Sequence, residues 1–436
     1  MLRLLLILLL ALPLACNESG VLDDDDAAGD DDDISGDDDD ATGDDDDATG
    51  DDDDATGDDD DATGDDDDGT GDDDDATGDD DDATGDDDDA TGDDDDATTT
   101  PCGNGTLAGS FQPNTAAEVA TFCADGYGTI DGDLTISSFT LDSVADLGCL
   151  CAVTGDLIVG PTLPLLTDLT GLENLAFVGG DVTFSWVSQA LGLGGLAGLQ
   201  EVGGSFAIQN SSGLTDLTGA FPGLESVDGD MTFASNGFQN VAAFNALETV
   251  GGDISFTWHG ALPDVVGFGA LTLVEGSVSF ANNGSLASVS GFGGGTDFVI
   301  EGDLSVASNG GSGGALSGFG NLAELGGGLS LSWNTGFNAV SGFGVLEEIG
   351  GSLQITNTSG VAAISGFTGL EEIGDDLQLS SNTNLTDLSG LMGVEEVDGD
   401  LTITWNAQLP TATAEALRDA IGTSNIGGSV TIANNQ

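Results

Sequence analysis

One pattern recurs through most of this 436-residue chain. It is an apolar residue, any residue, Gly, then Asp, Ser or Gly, followed by an apolar-x-apolar triplet. Val397-Asp398-Gly399-Asp400-Leu401-Thr402-Ile403 is its cleanest copy. The opening residues are Ile130, Val153, Val178, Val202, Val227, Val250, Val274, Ile300, Leu325, Ile349, Ile373, Val397 and Ile426, a period of about 24. A unit that short cannot bury its own apolar side. Consecutive copies must stack, and the chain is expected to form a solenoid.

Within a copy, Leu401 and Ile403 alternate with Thr402 and Thr404, the signature of a strand with one buried face. The rest of the coil runs at a period of three, as in Leu385, Leu388, Leu391, Val394 and Val397. A Gly before the third apolar residue (Gly171, Gly342, Gly366, Gly390) marks a sharp bend. The expected fold is all-β: a right-handed parallel β-helix of about 13 coils over residues 130–409, a rod roughly 60 Å long.

The run Leu401-x-Ile403-x-x-Asn406-x-x-Leu409 resembles the leucine-rich-repeat signature. The Gly-Asp-Leu-x-Ile openings, in coils without long helices, are more similar to receptor L-domains. That resemblance covers roughly residues 102–436 and implies a β-helical ligand-binding fold. It does not carry receptor activity, because the chain has no kinase or Cys-rich module and no transmembrane stretch.

The flanks are of other kinds. Residues 1–15 (MLRLLLILLLALPLA) read as an export signal too short to span a membrane comfortably. Cys16 follows directly and resembles the lipidated Cys of bacterial lipoproteins, with Pro13 where Leu is usual. Such a protein is expected to be exported, anchored to the outer membrane through its N-terminal lipid and displayed on the cell surface. Eleven Asp-Asp-Asp-Asp blocks at a seven-residue period fill residues 23–96 and hold 44 of the 81 acidic residues. With nothing apolar to bury, residues 16–101 are expected to be a disordered, self-repelling tether. Residues 102–129 are expected to cap the first coil, and 410–436 (a short helix over 411–421, then a strand) the last. Four cysteines of an exported domain should pair. Cys102–Cys123 with Cys149–Cys151 is the favoured set of three possible ones, although a Cys-x-Cys ring is tight.

Formal charge is −79, with Arg3 and Arg418 the only basic residues. Nucleic acid is thereby excluded as a partner. A β-helical carbohydrate-active enzyme is the strongest catalytic alternative, since paired carboxylates abound. Yet they recur at one coil position, there is no Lys, and His259 is the sole imidazole, read as a turn residue replacing the usual Asn. The chain is not expected to be an enzyme or to need a cofactor. Ca²⁺ is the one ion suited to its acids, through Asp181, Asp230, Asp253, Asp303, Asp376 and Asp400, against the plainer alternative of a solvated acidic edge.

The outward strand positions are informative. Thr183 and Ser185, Ser255 and Thr257, Ser330 and Ser332, Thr402 and Thr404 are examples, and all thirteen copies lack charge there. Eight residues on from each opening residue, from Val178 onward, stand Trp186, Asn210, Ser235, Trp258, Asn282, Ser308, Trp333, Asn357, Ser381, Trp405 and Asn434. The order Trp, Asn, Ser defines a three-coil module. Strand alternation from Leu401 and Ile403 favours Trp405 pointing into the core. The leucine-rich-repeat analogy instead makes Asn406 the inward residue and puts Trp405 at the rim. In that case Trp186, Trp258, Trp333 and Trp405 form a ladder for a protein or polysaccharide ligand. The overall expectation is a non-enzymatic surface lipoprotein for binding or adhesion. The alternatives are a purely structural envelope protein, the carbohydrate-active enzyme and a Ca²⁺-binding acidic surface protein.

Overall fold

A computed structural model describes residues 102–436 except Gly295. The expected signal segment, Cys16 and the expected acidic tether lie outside the described residues.

The chain winds into a parallel β-solenoid. Two 13-stranded sheets run its full length, and a third sheet of five short strands runs from Asp264–Val265 to Ala363–Ile364. Sheet I collects the two-residue strands before the Gly turn, such as Glu396–Val397. Sheet II collects the strands after it, such as Leu401–Thr404. Neighbouring coils pair in register, Leu377 with Leu401 through Ser380 with Thr404. The recurring turn is the cause, because it restarts each coil at the same point, so coils of slightly different length still place equivalent residues side by side.

Inward residues of all three sides make one core. Phe233, Phe256 and Phe280 stack across adjacent strands of sheet II, at 4.5 and 5.7 Å between ring centroids. A second file runs Phe221, Phe244, Phe268, Phe292, Phe319, Phe343, Phe367, with steps of 4.8–5.4 Å. In-register stacking of one ring type fills a coil's width without cavities.

Helix α1 (Ala116–Ala124) lies at the start of the stack and buries Val119 and Phe122. Thr115 accepts the Glu118 N–H and the Glu118 carboxylate accepts the Asn114 N–H, a variant of the capping box. Before the helix, Gly105–Ala108 pairs in parallel with Tyr127–Asp131, so the cap itself begins the first sheet. Helix α2 (Thr411–Ile421) buries Ala414, Leu417 and Ile421, and Val430–Ala433 closes sheet II. No helix among the described residues is long and apolar enough to cross a membrane.

The disulfides correct the expected pairing. They are Cys102–Cys151 and Cys123–Cys149, not Cys102–Cys123 and Cys149–Cys151. The 3₁₀ turn Ala145–Leu147 packs under α1 and brings Cys149 to Cys123. The Gly103 N–H bonds the Cys149 carbonyl, and a Cβ on either Gly103 or Gly128 would overlap the opposing backbone. Those two glycines let the first strand close on the second coil, which carries Cys102 to Cys151. Proximity between coils, rather than along the chain, selects the partners.

Candidate binding face and its tryptophan file

The outer surface of sheet II is the neutral face. At its downstream edge every coil from Val178 onward has one residue in the left-handed region. The four Trp sit there at φ 58–63°, and Asn210, Ser235, Asn282, Ser308, Asn357, Ser381 and Asn434 occupy the same place between them at φ 52–60°. Such a residue resets the alternation. Leu401 and Ile403 point in and Trp405 is turned out, so the next residue, Asn406, enters the core in its place. The inward placement of Trp405 favoured by simple alternation is therefore overturned. All four Trp are exposed, at 59–62%.

Their strands, Val182–Ser185, Ile254–Thr257, Leu329–Ser332 and Leu401–Thr404, stand three apart in the sheet order. At one strand spacing of about 4.8 Å the Trp recur about every 14 Å. Asn tolerates left-handed backbone, whereas a bulky residue there is a genuine outlier costing roughly 1–2 kcal/mol. Neither core packing nor backbone geometry calls for an indole at this place. Every third coil carries one all the same, exposed and in disfavoured backbone.

From Ser211 onward the residue after each of these is polar and forms a ladder, buried as far as Asn406. Asn283 Oδ1 accepts the His259 N–H of the preceding coil at 2.9 Å, and its amide nitrogen donates to the Phe256 carbonyl at 3.0 Å. Asn236, Asn309, Asn382 and Asn406 repeat that double contact one coil back. His259 occupies an Asn place and does the work of one. Its Nδ1 accepts the Asn236 N–H at 3.3 Å, and Nε2 donates to the Phe233 carbonyl at 3.2 Å. Burial pushes its pKa below the ordinary value, against a smaller opposing effect of the Asn236 and Phe233 backbone.

The consequence for pH has a definite sign. The unfolded chain takes up the His259 proton near pH 6.5 and the folded one only at lower pH. Stability from the neutral ring is complete above that value and falls on acidification towards the depressed folded pKa. His259→Asn keeps the ladder and removes the titration. Wild type should lose stability relative to His259→Asn between pH 7.5 and 5, by at most about 1.4 kcal/mol per pH unit. Parallel denaturant titrations check this; identical pH profiles would place the buried ring's effect at zero.

The acidic row has a structural job. Asp133, Asp156, Asp181, Asp230, Asp253, Asp303, Asp376 and Asp400 each point one carboxylate oxygen at the backbone N–H of the equivalent residue in the next coil, at 2.6–3.0 Å. Ser205, Ser277 and Ser352 do this with their hydroxyls. The six Asp considered as Ca²⁺ ligands are thus rungs one to three strands apart, each with one oxygen engaged. Among the described residues, no group of three or more Asp, Glu, His or Cys is placed to hold a metal ion. On sheet I, Glu348, Glu372 and Glu396 stack in register. Glu348 above all, then partial desolvation, Glu396 and Asp398, hold the Glu372 carboxyl above its usual range.

The chain matches no protein-family model, no curated protein and no solved structure. The regular row of exposed indoles is a feature of sheet II that the fold does not require.

Proposed function

We propose that the protein is a non-enzymatic surface lipoprotein whose solenoid binds an extended ligand along the Trp186–Trp258–Trp333–Trp405 file. The observation that carries this is an exposed aromatic kept in costly backbone at every third strand, where Asn and Ser serve the intervening coils. An exposed indole offers a large, rigid contact surface at low entropic cost, suited to stacking on sugar rings or anchoring a protein. The absence of charge on the adjoining strand positions lets a ligand approach a chain of net charge −79 without meeting carboxylates at the contact.

The anchoring part of the proposal rests on the signal-like residues 1–15 and Cys16, and the Asp-rich segment serves as a spacer. Two disulfides in a chain with only five cysteines favour an oxidising compartment. Likeness to receptor L-domains agrees with a binding role, but fold alone assigns none.

Trp258→Asn with Trp333→Asn is the discriminating variant, since Asn is the module's own alternative. It should fold at least as stably as wild type, because each change relieves left-handed strain. Retention on isolated cell envelopes and immobilised polysaccharides should fall by at least about 30-fold. Equal retention by variant and wild type would leave the solenoid as a structural envelope element.

A further inference from the structure

The Asp/Ser ladder at the upstream edge of sheet II is broken once among the described residues. It runs from Ser110, whose hydroxyl accepts the Asp133 N–H, to Asp303, whose Oδ1 accepts the Gly328 N–H at 2.7 Å. It resumes where Ser352 Oγ accepts the Asp376 N–H, and it ends at Ser429. Between these Gly328 offers no side chain, and the Ser352 N–H has no acceptor among the described residues. The other Trp-bearing coils with the full module carry Asp at this place: Asp181, Asp253 and Asp400. Backbone geometry does not demand the glycine. Its φ lies outside the left-handed region, and a Cβ would meet the Ser352 O and N at 3.0 and 3.3 Å and Asp303 Oδ1 at 3.8 Å, close contacts that a shift of a few tenths of an ångström relieves.

The missing rung leaves a cleft of about 390 Å³, bounded by Asp303, Ser305, Ser330, Ser352 and Gln354. One donor, the Ser352 N–H, points to where a carboxylate would otherwise lie. One acceptor, Asp303 Oδ2, makes no hydrogen bond among the described residues. The hydroxyls of Ser305 and Ser330 and the Gln354 amide lie on the sheet beside them. An anion would be repelled by Asp303 and by the chain as a whole. A cation would find a single carboxylate next to an N–H donor, a poor set of ligands. Groups that both donate and accept from adjacent atoms fit, and the neighbouring hydroxyls of a sugar ring are such groups. Gly328 lies five residues before Trp333 on the same coil, roughly 16 Å along the strand. A short oligosaccharide laid across the sheet reaches both.

We propose that the Gly328 cleft is a subsite for the hydroxyls of a neutral carbohydrate, so that the ligand of the Trp file is a neutral glycan. This rests on the Trp file being a binding surface. The test uses the full chain on an array of neutral glycans, with Gly328→Asp, which restores the rung and fills the cleft, and Trp333→Asn. Wild type should bind at least one neutral glycan. Gly328→Asp should weaken that binding by at least 10-fold, with an unchanged or higher melting temperature. The Ser352 amide resonance should move on adding the bound glycan to wild type and stay still in Gly328→Asp. If Trp333→Asn loses binding while Gly328→Asp retains it, the cleft is no subsite, and the Trp file stands. If both variants bind like wild type, cleft and file fail together. If no neutral glycan binds while Trp258→Asn/Trp333→Asn still loses retention on envelopes, the carbohydrate assignment is overturned alone.

Discussion

Asn283→Leu should destabilise the solenoid by about 3–5 kcal/mol. Asn283 is fully buried and serves the preceding coil at two points, the His259 N–H and the Phe256 carbonyl. Leucine fills similar space and satisfies neither. Each buried polar group left without a partner costs about 1–3 kcal/mol, and the amide's own bond to Asn309 is lost as well. Because coils interact only with their neighbours, the damage should also split the cooperative transition and lower its denaturant slope. Asn283→His should recover most of the loss, since His259 makes equivalent contacts in the adjacent coil. Guanidinium titration of the three proteins tests this. A loss under about 1 kcal/mol for Asn283→Leu would mean that water or a backbone shift replaces the ladder.

Reducing the two disulfides should have a comparable effect at the N-terminal end of the stack. Cys102–Cys151 spans 49 residues and Cys123–Cys149 spans 26. On the chain-entropy account such loops contribute about 4 and about 3.5 kcal/mol. Without them α1 is held to the first coils chiefly through Val119, Phe122 and the short parallel pairing of Gly105–Ala108. Once α1 leaves, the edge of sheet I and the first coil of the core are open to water. Amide exchange should therefore speed up first over residues 105–160, while the ladder around Asn283 stays protected. Uniform acceleration along the whole solenoid would contradict a cap that acts locally.

The stack, its period and the inward residues of its strands were legible in the sequence because they depend on local alternation and repetition. Whatever depended on contact between coils was not. Val397, Leu401 and Ile403 could be placed by counting, but Trp405 could not, since one left-handed residue reverses the count. Asn and Ser at the equivalent places were the available hint, being ordinary in left-handed or turn backbone where Trp is not. The aspartates read as an acidic edge. Their true partners are amides about 24 residues away, visible only once the register is known. The cysteines failed for the same reason. Gly328 lay in plain view as a departure from the three-coil module, but it gained meaning only when the rungs on either side were seen to bond.

The module also restricts how such a chain can change length. From Trp186 to Trp258 is 72 residues, to Trp333 a further 75, and to Trp405 another 72. Removing or duplicating one coil would keep the sheets paired and the phenylalanines stacked, yet it would move every later indole by one or two strands out of phase. Only a change of three coils restores the interval. A gene for this protein can therefore grow or shrink by recombination between repeats in steps of any coil number as far as folding is concerned. If the indoles act together, descendants should differ in length by whole triplets, so that comparing chain lengths alone would reveal whether the row of tryptophans has been under selection.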